Sequence, residues 1–531
     1  MKINKFTSLF ATCLLMGLTA CSNDNVSDAD YSNSAKDKDL TGKTSFSITS
    51  EAKTRTSGVY NSGVDFYWTP NDNIWVKSGS TTSPTLTASS SNNITSTTTS
   101  AKFYFDGTYT AASYPVRYTG NASTSGNTVT IATSQNQDEA NNATQLGTVG
   151  DCGVGTATRQ TDGSYKFTLS HKASYITFMP YYSKEALDAS AVVTQIKVEA
   201  ANDEKLAGTF NFSDSGLGAA NSSSNSVTLT LNGTSSTPGF PIPTTATASK
   251  NAAIMVVAPG TYSTFKVTYT LYDSVTGTNS TISYTYSDIN CTAGKNQVIK
   301  TDLGMETYTS RKTNYYMWDA KSNYWDGYEN SQPLLNNAEN TNYAKSSDDT
   351  RWYNTAFTYE VQTKAINSCK DEPTFEALTW YIGAGSPQLD NKTLWVFANH
   401  LYVGGIWLKK QSKISHFSSE ENYPGTNTWI SGGDIKFTVA ISGKPESSVR
   451  SDYFYLPALG QYVDGKLTGL GEKGYYWAST PNPVNNGSRD AGYGKVISAN
   501  CLRFGIDTEL NNVYVRNYYE RHVGMQVQEF E

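Results

Sequence analysis

The residues LTACSND at 18–24 end the first apolar run of the chain on a cysteine. Leu18, Thr19, Ala20 and Cys21 fit the bacterial lipobox, in which the cysteine thiol takes a diacylglycerol and the preceding peptide is removed. Lys2 and Lys5 lead into a mostly apolar stretch over 9–18, and the small residues Thr19 and Ala20 follow, the layout of a secretory signal. That stretch is shorter than the roughly 20 apolar residues a membrane span needs. The reading is a lipoprotein signal peptide over 1–20, lipidation at Cys21, and a polar linker over 21–43. An ordinary signal peptide that happens to hold a cysteine is the competing reading. Either way the mature chain is exported, and the lipobox places the precursor on an outer-membrane lipid anchor.

Other groups capable of chemistry are few. Cys13 leaves with the signal, so Cys152, Cys291, Cys369 and Cys501 remain. In an oxidising compartment four cysteines could form two bridges in three connectivities. A Cys369–Cys501 bridge would close the C-terminal region on itself; buried thiols are the alternative. The four histidines are His171, His400, His416 and His522. There is no His-Glu-x-x-His, Gly-x-Ser-x-Gly or Cys-x-x-Cys motif, and no carboxylate pair is marked for acid–base work. His171 lies in a strand-rich run and reads as structural. An enzyme is not expected, nor a cofactor or metal. A net charge of −6 with no Lys/Arg-rich block excludes nucleic acid as a natural partner.

The elements that must carry these residues are strands. Only 17% of residues are charged, while Ser, Thr, Asn, Gly and Tyr abound, as in extracellular β-structure. "SFSITS" puts Phe46 and Ile48 on one face. "KFTLSHKASYITFMPYY" places Phe167, Leu169, Ala173, Tyr175 and Phe178 in strand-like runs, and "SVTLTLNG" alternates Val227, Leu229 and Leu231. "TFKVTYTLYD" alternates Phe265, Val267, Tyr269 and Leu271, and "TISYTYSD" follows a Gly-containing turn as a hairpin partner. The pattern changes near 306, beyond which eight of the ten tryptophans lie, enough for a separate core. There "DEPTFEALTWYIGAG" predicts a helix, with Pro373 in its first turn, Phe375, Leu378 and Ile382 on one face, and Gly383 at its end. The fold class read from these patterns is mainly β, with an α+β region at the C-terminus.

Over the first 305 residues the chain resembles the fimbrillin family, the lipoprotein-derived pilins of Bacteroidetes. The resemblance rests on the lipobox at Cys21 followed in order by "SFSITSEAKTRTSG", "FYWTPNDNIWV", "YTAASYP", "FTLSHKASYITF", "VVAPGTYSTFKVTY" and "CTAGKNQVIKTDL". It implies two transthyretin-like β-sandwiches, over 44–180 and 181–305. It also implies cleavage by an Arg-specific protease between Arg55 and Thr56, which removes the first strand. A sandwich stripped of that strand, read as an edge strand, would accept one from another pilin subunit by donor-strand exchange.

Residues 306–531 resemble the C-type lectin-like modules of surface proteins from the same bacteria, on "PTFEALTWYIGAGSP", "GGIWLKKQSKI", "YFYLPALGQYVDGKLTGLGEKGYYWAST" and "VGMQV". The calcium-and-sugar tripeptides Glu-Pro-Asn, Gln-Pro-Asp and Trp-Asn-Asp are absent, so the resemblance implies the fold and not calcium-dependent sugar binding. Two polar, aromatic-bearing stretches are candidate ligand contacts: Asn485, Asn486, Arg489, Asp490 and Tyr493 in one, and Tyr518, Tyr519 and Arg521 in the other. Where stalk pilins end in a donor strand, this chain continues. The expected role is therefore a fimbrial tip subunit, released from its lipid anchor into an extracellular fimbrium. Its module would bind a host or bacterial surface glycan or protein. The alternative is a permanently anchored glycan-binding lipoprotein.

Overall fold

Alternation with a period of two sets the architecture from the first strand onward. Lys43–Ile48 buries Phe46 and Ile48 and leaves Ser45 and Ser47 half exposed. In the computed structural model, which describes residues 40–48, 57–60, 64–80, 83–234, 238–355, 365–426, 434–481, 498–505 and 511–531, the chain is mainly β. Neighbour by neighbour, one sheet runs Ser83–Ala88, Trp75–Ser80, Ser113–Tyr118, Gly153–Arg159, Tyr165–Phe167, Lys43–Ile48, Lys102–Asp106 and Ser91–Asn92. Inward side chains of this sheet, among them Phe46, Phe103, Phe105, Tyr118 and Tyr165, form one apolar core together with Trp68.

A second core lies among three further sheets. The largest is built on the long hairpin Gly260–Asp273 and Thr278–Cys291. Phe265, Val267, Tyr269 and Leu271 point inward there and are fully buried, as their alternation predicts. Gly277 takes the turn with φ of +71°, a conformation that side-chain-bearing residues adopt at a cost. Ser174–Tyr181 pairs with Ala253–Val257 and, in parallel, with Asn296–Asp302, so it belongs with this second set of sheets. Thr128–Ile131 and Ser134–Gln137 reach into the same set, pairing with Ala207–Ser213 and Ser226–Leu231. Gln135 and Gln137 are buried and bond to the backbone of Ala253–Val257 and its flank: Gln135 donates to the Val256 carbonyl and accepts from its N–H, while Gln137 accepts from the Ile254 N–H.

Beyond 306 the strands Gln388–Phe397, His400–Lys409 and Tyr453–Pro457 form an antiparallel meander. A separate sheet is centred on Lys473–Pro481, Ser498–Gly505 and Asn512–Glu520. The predicted helix is present as Phe375–Gly383, with Phe375, Leu378 and Ile382 buried. Its N-cap is Thr374, whose hydroxyl accepts from the Ala377 N–H, so Pro373 precedes the cap rather than sitting in the first turn.

The core at 306–531 is not wholly its own. Leu394, Val396 and Leu401 are buried in the same cluster as Tyr269 and Leu271, and Lys43–Glu531 form one compact unit. The seam is tied by Asp273. Its carboxylate accepts from the His400 ring at 3.0 Å, the Leu401 N–H at 3.0 Å and the Ser190 hydroxyl at 2.9 Å. Burial pushes the Asp273 carboxyl up, but these donors outweigh it and bring it down to about 2. The same bond to Asp273 raises His400 against the opposing effect of burial.

The sign follows for each partner. Asp273 contributes stability above its ordinary value of 3.8, lost as pH falls towards about 2. His400 contributes stability below its ordinary value of 6.5, lost as pH rises through its raised value. Thermal unfolding followed against pH is expected to show a plateau between these limits and a decline on both sides. Asp273→Asn should remove both of these contributions. A profile that Asp273→Asn leaves unchanged would refute this coupling.

Candidate functional site

The first strand is set into the sheet rather than laid on its rim. On one side Lys43–Ile48 pairs antiparallel with Lys102–Asp106, with Phe46 opposite Phe103. On the other it pairs in parallel with Tyr165–Phe167, with Phe46 opposite Tyr165. The expectation of an edge strand is corrected: this strand has a neighbour on each side, so its removal opens two backbone edges. Phe46 anchors it. The ring is fully buried, stacks on Tyr165 at 4.6 Å, and meets Phe105 at 4.9 Å and Tyr109 at 5.4 Å edge-on. On the exposed side Lys43 pairs with Asp106 at 2.9 Å, a surface contact of small energetic weight.

Cys21, Arg55 and Thr56 lie outside the described residues. The chain is described again from Ser57, where Ser57–Tyr60 and Val64–Tyr67 form a two-stranded sheet of their own. The covalent path between the first strand and this hairpin therefore consists of residues 49–56, which include Arg55.

In the C-terminal region, Asn485, Asn486, Arg489, Asp490 and Tyr493 lie outside the described residues, as does the side chain of Tyr518. Tyr519 is half-buried, edge-on to Tyr475 at 5.6 Å. Arg521, a candidate ligand contact, is only 2% exposed. Its guanidinium lies over the Trp318 ring at 4.3 Å and donates to the Ser498 carbonyl at 3.0 Å and the Asn354 carbonyl at 3.3 Å. This is a tie between segments and not a free contact. Cys369 and Cys501 share a core cluster with Trp318 and Trp477, and both are thiols rather than the considered disulfide.

The segment that Arg521 holds borders a cavity of about 250 Å³. Its wall includes Lys321, Asp348, Trp352, Tyr353, Asn354 and Asn367. Arg351, next in the chain to Trp352, forks onto the Asp349 carboxylate at 3.0 and 2.6 Å and donates to the Asn342 carbonyl at 2.7 Å. Trp352 packs against Tyr353 at 4.9 Å and His522 at 6.4 Å. Asp319, also on the wall, is committed to structure: it accepts from the Asn354 amide at 2.8 Å and the N–H groups of Ile366 at 3.0 Å and Asn367 at 2.6 Å. Half-exposed aromatic faces beside amide, carboxylate and ammonium groups can hold a polyhydroxylated ligand by stacking and hydrogen bonding. The sequence reading missed this wall. The available signal was the pair Trp352-Tyr353 inside the polar run "SSDDTRWYNT".

His171 and His400 are tied into the structure. His171 is buried, bonds to Asp151 at 2.8 Å and lies against Phe66 at 4.1 Å. Burial pushes the thiols of Cys152 and Cys369 well up and that of Cys291 up to about 12, which holds all three protonated and poorly nucleophilic. Among the described residues no group of three or more His, Cys, Asp or Glu side chains is placed to hold a metal ion. Among them, too, no helix is long and apolar enough to cross a membrane.

No protein-family model matches the chain, and no curated protein matches it. Solved structures do. A "putative cell adhesion protein" from Bacteroides uniformis is similar at 12% identity over 50% of this chain and 93% of its own, with a TM-score of 0.30. A "putative cell adhesion protein" from Bacteroides eggerthii is 14% identical over 49% of this chain and 87% of its own, with a TM-score of 0.24. A fimbrial protein from Bacteroides ovatus is 11% identical over 53% of each chain, with a TM-score of 0.23.

Proposed function

We propose that the chain is a fimbrial tip subunit, exported as a lipoprotein through Cys21, cut between Arg55 and Thr56, and assembled by strand exchange, with residues 306–531 as its adhesive module. The observation that carries this reading is the seating of Lys43–Ile48. It fills an interior slot lined by aromatic rings, and it is joined to the hairpin at Ser57–Tyr60 through a segment containing Arg55. Once cut there, the strand is held by non-covalent contacts alone. Its departure frees N–H and C=O groups on Lys102–Asp106 and Tyr165–Phe167 above an apolar groove, which a strand from another subunit can fill. The partners are thus other pilin subunits, an Arg-specific protease, and a surface glycan or protein held at the module. The cavity walled by Trp352 and Tyr353 is the proposed ligand contact.

Mass spectrometry of assembled fibres is expected to find a mature N-terminus at Thr56. Arg55→Ala should accumulate as an unassembled monomer that keeps its own strand. Fibres whose subunit still begins at the lipidated Cys21 would overturn this reading and favour a permanently anchored lipoprotein.

A further inference from the structure

A second cavity, of about 300 Å³, lies where residues 370–374 enter the helix Phe375–Gly383. Tyr381, Phe417 and Phe530 form its apolar wall, with the Tyr381 ring 5.1 Å from Phe417 and 5.4 Å from Phe530. Asp371, Glu372 and Glu529 also line it. Two of the lining side chains are buried and incompletely bonded. Glu372 is 7% exposed and its Oε2 has no hydrogen-bond partner; Ser479 is 1% exposed and its Oγ has none. Each such group costs free energy that a ligand donor would relieve.

The charges select the donor. Asp371 and Glu529 stand exposed at the rim and repel anions. The one lysine of the lining, Lys370, lies 3.8 Å from Asp371. The positive end of the helix is already met by the Thr374 cap and by Glu376 in the first turn. Ring faces attract cations, and a buried carboxylate needs a cationic partner. We propose that this cavity binds a primary alkylammonium group, with the ammonium on Glu372 Oε2 and Ser479 Oγ and its carbon stem along Phe417 and Tyr381. The source is a lysine side chain of a partner protein or an amino sugar. This inference goes beyond the fimbrial reading and does not rest on it.

Binding carries a proton balance. Burial raises Glu372 to about 8; Glu529 and Asp371 add to this, while the Gln528 N–H and Arg311 oppose it. Near neutral pH the free site therefore holds a carboxylic acid. An ammonium that arrives charged converts it to a carboxylate and sends its proton to solvent. Affinity should rise with pH until Glu372 is ionised in the free protein.

Calorimetry on the full chain tests this, run near neutral pH in two buffers of different ionisation enthalpy. The ligands are Nα-acetyl-lysine methylamide and glucosamine, with Nα-acetyl-norleucine methylamide and N-acetylglucosamine as uncharged controls. At least one amine is expected to bind with net proton release, and which one binds identifies the source. Glu372→Gln should weaken it about tenfold or more and remove the release. Should Glu372→Gln not fold, the proton release of the wild-type chain and its preference for amines over the controls decide the matter. Failure of both amines to bind, equal binding of the controls, or full affinity in a folded Glu372→Gln protein would overturn the proposal.

Discussion

Phe46→Ala is expected to lower the unfolding free energy of the uncut chain by about 3–5 kcal/mol. The ring is fully buried between two strands and contacts Tyr165, Phe105 and Tyr109. Its removal leaves a hole beneath a short strand whose neighbours are fixed on both sides, so the sheet has little room to collapse into it. Aromatic pairing adds a further share beyond the buried area. Ser47, half exposed on the same strand, is the internal control, and Ser47→Ala should stay within about 0.5 kcal/mol of the parent. Denaturant melts of the two variants measure the difference directly. A loss below about 1 kcal/mol for Phe46→Ala would mean the strand is held by its backbone bonds and not by its anchor.

Arg521→Ala should cost about 3 kcal/mol, since a hydrogen bond to a charged group contributes about 1.5–3 kcal/mol. The carbonyls of Ser498 and Asn354 each lose a hydrogen bond from the guanidinium, and Trp318 loses the cation over its ring. Burial brings the guanidinium down to about 10 against the opposing pull of Tyr353 and Asp319, a sign of how far it sits from water. Arg521→Lys should rescue little, because an ammonium cannot reproduce a flat contact and a divergent pair of hydrogen bonds. The expected reading is a large fall in Tm for both variants. If Arg521→Ala were as stable as the parent and lost only ligand attachment, the structural role assigned to it would be wrong.

Local signals were legible in the sequence. The hairpin Gly260–Asp273 and Thr278–Cys291, and the helix Phe375–Gly383, follow from alternation, a turn glycine and a spaced apolar face. The burial of Phe46 and Ile48 follows in the same way. What alternation does not encode is who the neighbour is. Phe46 meets Tyr165 across more than a hundred residues of chain, and only the assembled sheet makes that strand interior. Polar interiors were equally hidden. Gln135 and Gln137 sit inward because their amides replace strand partners for Ile254 and Val256, a pattern that hydropathy reads as surface. "RNYYERH" misled for the same reason: a charged residue in a polar run signals solvent, while Arg521 is satisfied by an aromatic ring and carbonyls from distant segments. The cavity wall at Trp352 and Tyr353 escaped because a cavity is a property of several segments together.

The position of Lys43–Ile48 between Lys102–Asp106 and Tyr165–Phe167 also fixes an order of events. A chain is made from its N-terminus, so this strand emerges before both of its neighbours and waits for them. Pairings across such long separations form late, because the intervening loop must be closed before any bond rewards it. Until those pairings form there is a moment in which the slot between the two neighbours is open to any strand. During that moment the chain's own strand competes with any other strand nearby, and it prevails because a tether gives it a high effective concentration. Under the proposed cut between Arg55 and Thr56, that contest would be restored on equal terms.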